Sequence, residues 1–181
     1  MKNIKKWLFV ALMLTFGIAK AQKSVVGTMF PDISGETFDN KPVNIPTDTK
    51  GKYTIIGMAY SKSAESDLKT WLNPAFNKFI AKTGLMDDTY DVNIYFIPMF
   101  TGTNSATEGI AKKKLEKGTD KQLFPYVVFY KGALHKYKEV LAFDKKNTAY
   151  IYVLDKDGKI VYATSGPYSE DKMDAIDDKL Q

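Results

Sequence analysis

The sequence predicts an α/β fold, a mixed central sheet with helices on both faces that ends in a β-hairpin and a closing helix. Three observations point there. Apolar runs rich in β-formers recur at 52–60, 91–100 and 123–130. Segments with apolar residues spaced by three and four stand between them. Two further β-rich runs flank Asp157-Gly158, the strongest short-range hairpin signal.

The elements follow in chain order. Lys2, Lys5 and Lys6 precede one apolar run over 7–18, and Ala19-Lys20-Ala21 supplies small residues where a signal peptidase reads. Residues 1–21 are therefore expected to be a signal peptide, with a mature start at Gln22. The run is shorter than the ~20 residues that span a bilayer, so no stable membrane span is expected after cleavage. The protein is expected in the periplasm or secreted. No repeat, low-complexity tract or linker divides 22–181, which reads as one domain.

Residues 25–46 are rich in turn formers and read as a β-ribbon laid on the main fold. The run 52–60 reads as a strand covered on both faces. Leu68, Trp71, Leu72, Ala75, Phe76, Phe79 and Ile80 form a helical stripe. Pro74 either kinks one long helix or opens a second, with Asn73 as its cap. The run 91–100 is the next strand. Residues 105–118 read as a helix, with Ser105 and Glu108 spaced as a capping box and Gly118 as the stop. A third strand at 123–130 and a short helix at 133–143 follow. The hairpin occupies 148–166, and 169–180 closes as a helix with Ser169 and acids at its start.

Composition removes several function classes. Four of the 26 basic residues fall in 1–21, leaving 22 against 21 acids. So balanced a chain offers no case for a nucleic-acid or anionic-membrane surface. Every basic residue is lysine, so the bidentate guanidinium fork is missing. There is no cysteine, which excludes thiol–disulfide exchange, thiol peroxidase chemistry and a lipoprotein anchor. A single histidine, His135, excludes paired-histidine metal sites.

Three stretches carry a family resemblance. Residues 29–61 hold a Phe-Pro-Asp, a glycine turn and a Gly-Lys before the first core strand. Tyr60-Ser-Lys-Ser-Ala-Glu-Ser66 lies at a strand-to-helix turn, and 147–166 carries the late strand pair. This order resembles the redoxin branch of the thioredoxin-like superfamily, which implies a three-layer sandwich with its active site at that turn. Redox-active members place Cys-x-x-Cys there and a cis-proline opposite. Here Ser61 and Ser63 are the nearest polar stand-ins, and Ala149 aligns with the proline, so that its peptide is expected to be trans. The stretches 70–79, 123–143 and 149–166 are similar to the mitochondrial ATP synthase assembly factors, which are thioredoxin-like. That similarity implies an assembly or chaperone role.

The expected function is thus an exported, redox-inactive thioredoxin-like binding, chaperone or assembly module. Its expected partner is another envelope protein or peptide, and neither cofactor nor metal is expected. The former active-site rim, Tyr60, Ser61, Lys62, Ser63, Thr148 and Ala149, is the candidate binding surface. The alternative is a cysteine-independent hydrolase using Ser61, Lys62 and Ser63. That would need a desolvated lysine base, whereas residues in an exposed turn cap the helix. His135 reads as a surface residue and Asp155-Lys-Asp-Gly158 as a turn lacking the later calcium ligands. Lys112–Lys114 read as a solvated helix face. Tyr60 and Tyr168 flank polar turns and are candidates for a wet contact surface.

Overall fold

A computed structural model describes residues 24–85, 89–100 and 105–180, the side chains of 105–108 excepted. The expected signal peptide and the Ser105–Glu108 capping box lie outside what is described. The elements are β1 (Ile33–Thr37), β2 (Pro42–Ile45), β3 (Tyr53–Ala59), α1 (Lys62–Phe79), β4 (Val92–Phe100), α2 (Ser105–Lys117), β5 (Val128–Lys131), α3 (His135–Lys138), β6 (Tyr150–Leu154), β7 (Ile160–Ser165) and α4 (Glu170–Asp177).

The described strands form one seven-stranded sheet in the order β2-β1-β5-β4-β3-β6-β7. β3, β4 and β5 run parallel to one another, and every other neighbouring pair is antiparallel. The β1–β2 ribbon, expected from the sequence to be laid on the main fold, is instead part of the sheet. It lengthens the sheet, with Glu36 and Thr37 paired to Phe129 and Val128.

Side-chain alternation along the central strands creates two cores. Ile56 and Met58 of β3 join Tyr150, Tyr152 and Leu154 of β6, beneath Tyr137, Leu141 and Phe143. Ile55 and Ala59 join Ile151 and Val153 on the other face, under α1 and α4. Gly57 allows α1 to approach, since a Cβ there would lie 2.7 Å from Leu68 Cδ1. Leu68, Trp71, Ala75, Phe76 and Phe79 are the buried stripe of α1, which runs as one helix through Pro74. Lys78 donates to Asp177 at 3.0 Å, and Tyr90 donates to the same carboxylate, binding α1 to α4.

Three further expectations need correction. The run 123–130 is not all strand: Lys121–Tyr126 is a 3₁₀ turn, capped by Asp120, whose carboxylate accepts from the Gln122 N–H at 3.1 Å. Pro125 lies in this turn and has no N–H to give a ladder. The helix expected at 133–143 is reduced to His135–Lys138, and the chain turns away through Ala142 at φ 50°, outside the helical region. Ser169 has the extended backbone of a cap, but its side chain makes no capping hydrogen bond.

Candidate functional site

β3 delivers Tyr60 and Ser61 to the mouth of α1. Ser61 has extended backbone (φ −149°, ψ 160°) and is the N-cap. Its Oγ accepts from the Ala64 N–H at 3.1 Å and donates to the Lys146 carbonyl at 2.6 Å. A carbonyl cannot take the proton away, so the hydroxyl has no general base. Lys62 and Ser63 are exposed on the outer side of the first turn. A Cys-x-x-Cys pair is spaced by three, so counting from the cap places Ala64, fully buried, at the second position. Ser63 is therefore not the second stand-in. His135 is exposed at the start of α3.

The opposing segment is tied to this mouth. Thr148 Oγ1 donates to Asp67 Oδ2 at 3.3 Å. Ala149 is fully buried in the α1-side core, and its carbonyl accepts from the Gly166 N–H at 2.8 Å. It is a core residue and does not reach an accessible rim. Its peptide bond is trans, as expected; among the described residues Ile45–Pro46 is the cis bond.

Tyr60 is half-buried, stacked on Phe143 with centroids 5.2 Å apart, and donates to the Phe143 carbonyl at 3.3 Å. Burial, aided by Tyr150 and Asp144, pushes its hydroxyl up to about 12, so it stays protonated. Tyr150 exchanges hydrogen bonds with the Lys145 backbone, donating to the carbonyl at 3.0 Å and accepting from the N–H at 2.6 Å. Tyr168 is half-buried edge-on to Trp71, whose indole N–H donates to the Gly166 carbonyl at 3.0 Å. Burial, then Glu170, raises the Tyr168 hydroxyl to about 12.

The rim residues thus divide. Tyr60, Ser61 and Thr148 point inward and fasten 143–149, whereas Lys62 and Ser63 face out. The sequence reading missed Asp67, Phe143 and Lys146, which complete those ties. Asp67 had a readable signal, an acid in the opening turns of α1; the Phe143 and Lys146 contacts use backbone carbonyls and leave no side-chain trace. Asp155 Oδ1 accepts from the Asp157 and Lys159 N–H groups at 3.0 and 2.9 Å, the turn expected there. Among the described residues no group of three or more histidine or acidic side chains could hold a metal ion, and no helix is long and apolar enough to cross a membrane.

The family model for ATP10 protein matches residues 15–179. The chain belongs to that family. Its fold is also that of solved thioredoxin-like proteins. One is a putative thiol:disulfide interchange protein DsbE from Chlorobium tepidum, 15% identical with a TM-score of 0.56 over 86% of this chain and 95% of that one. Another is the pneumococcal exposed lipoprotein thioredoxin Etrx1 from Streptococcus pneumoniae, 18% identical, TM-score 0.56, covering 82% and 99%. A thiol:disulfide interchange protein from Bacteroides sp. is 20% identical, TM-score 0.54, covering 86% and 90%. At these identities the likeness is one of fold. A search of curated protein sequences returned no match. The sequence-based resemblance to thioredoxin-like ATP synthase assembly factors, and the α/β three-layer architecture, both hold.

Proposed function

We propose that this chain is an exported, redox-inactive assembly module that binds another envelope protein or peptide. The observation that carries the reading is Ser61. It stands at the helix mouth of a thioredoxin-like fold, in a chain without cysteine, with both its proton and a lone pair committed to backbone partners. Such a residue organises a turn and supplies no reactive atom. Membership of an assembly-factor family supports binding as the activity.

The test is direct. The purified protein should reduce insulin disulfides and consume hydrogen peroxide no faster than buffer, and a fluorophosphonate probe should leave Ser61 and Ser63 unlabelled. Turnover or labelling above a Ser61→Ala control would overturn the reading. The family match begins at residue 15, inside the proposed leader, so N-terminal sequencing of the protein from a periplasmic fraction is the matching test of export. A start at Gln22 is expected; an intact Met1 in the cytosol would refute it.

A further inference from the structure

The outward stripe of α1 borders a concavity. Lys62, Glu65, Ser66 and Lys69 recur at helical spacing and line one wall of a cleft of about 580 Å³. α2 forms the other wall through Ile110, Lys114 and Leu115, and Phe100 at the end of β4 lies between them. Phe100 is held by its stack on Phe129, with centroids 4.5 Å apart. Ile110 is 70% exposed, which leaves its aliphatic surface available at the cleft.

The charges at this cleft are unbalanced. Lys62, Lys69 and Lys114 line it against Glu65 alone. Among the described residues none of those three lysines closes an ion pair; the pairs present use Lys41, Lys52 and Lys78. Burial pushes the Glu65 carboxyl up, and the attraction of Lys69 and Lys62 only partly opposes it. The same cleft is lined by the apolar side chains of Phe100, Ile110 and Leu115, so cations and apolar surface stand side by side.

We propose that the cleft between α1 and α2 docks an acidic amphipathic helix of a partner protein. Its apolar face would sit on Phe100, Ile110 and Leu115, and its carboxylates would meet Lys62, Lys69 and Lys114. Charge complementarity selects an acidic partner, because three cations line the cleft against one acid, which offsets only part of their charge. Ile110 and Lys114 stand one turn apart on α2, so an amphipathic helix laid along the cleft can meet them with an apolar and an acidic side chain one turn apart. A flat anionic membrane would touch the lysines without entering the concavity. The proposal rests on the binding-module reading and gives that module a surface, which Lys62 connects to the former active-site mouth.

The test uses the isotope-labelled protein and two synthetic helical peptides. One carries leucine at i and i+4 flanked by glutamate, and the other has lysine in place of glutamate. The glutamate peptide should shift amide resonances of residues 62–69 and 110–118 and leave 143–149 unmoved. Combined Lys62→Glu, Lys69→Glu and Lys114→Glu should weaken it roughly tenfold, as three rim charges of modest strength imply. Ile110→Ser should weaken it in a salt-independent manner, and Glu65→Gln should tighten it. These side chains lie at the surface or half-buried, and thermal melting checks that each variant folds. Equal binding of the lysine peptide, or shifts elsewhere, would overturn the proposal. So would uptake by phosphatidylglycerol vesicles through the same lysines without peptide binding. Those outcomes leave the assembly-module reading standing, whereas disulfide turnover would remove it and leave the cleft data intact.

Discussion

Ser61→Ala separates a structural serine from a catalytic one. The hydroxyl caps α1 through the Ala64 N–H and holds the Lys146 carbonyl. Losing a cap of this kind costs about 1 kcal/mol. Lys146 is exposed, so water replaces the second bond and adds only about 0.5–1 kcal/mol. The sum is about 1.5–2 kcal/mol, or ~4–6 °C in melting temperature for a domain of this size. Urea unfolding followed by the emission of Trp71, the sole tryptophan beyond residue 21, measures it. Ser63→Ala, at an exposed site, should remain within ~0.5 kcal/mol of the parent. Ser61→Asp should fall between, because it keeps the cap acceptor and loses the donor. The reasoning fails if Ser61→Ala is neutral or stabilising, the behaviour of a strained functional residue. It also fails if Ser63→Ala costs as much.

Trp71→Phe removes the donor to the buried Gly166 carbonyl and opens space beside Tyr168, and should cost ~2–4 kcal/mol in urea unfolding followed by circular dichroism. A cost below ~1 kcal/mol would refute a central role for that contact. Glu65→Gln tests the half-buried carboxylate. Because burial raises its folded-state affinity for a proton, the parent's stability at this site is fully present below the ordinary carboxylate range and is lost as pH rises through the elevated folded value. The variant should therefore be more stable than the parent at pH 7. The gap should close as pH falls toward about 4. A gap that widens in acid would reverse the assignment.

What the sequence made legible followed from periodicity. The β3 run and the α1 stripe were readable because burial on both sheet faces and along one helix face imposes apolar residues at fixed spacing. The ends of elements were less so. Pro125 forbids ladder pairing, yet its apolar neighbours read as strand, and only the pairing of Val128 and Thr37 shows where β5 begins. The 133–143 segment kept a helical pattern, since Tyr137, Leu141 and Phe143 all reach the core, but Ala142 takes a left-handed turn that no pattern announces. The rim was read as a list of adjacent polar residues. Orientation decided their roles, and at a helix mouth it changes with each residue. Thus Ser61 caps, Lys62 faces out and Ala64 is buried.

That change of orientation bears on what the mouth of α1 can do. The mouth of α1 has an inner side and an outer side. On the inner side, Tyr60, Ser61 and Asp67 with Thr148 bind the 143–149 segment through three long-range hydrogen bonds. A reactive pair would need free side chains on that side; here Tyr60, Ser61 and Thr148 are tied to the protein's own chain. On the outer side, Lys62, Glu65 and Lys69 border a cleft shared with α2, and burial pushes the Glu65 carboxyl up there. Internal stability alone would replace Glu65 with a neutral side chain, a change a single substitution can make. An acidic ligand would not favour Glu65 either, so the case for recognition at the α1–α2 cleft rests on Lys62, Lys69 and Lys114 and on the apolar side chains between them.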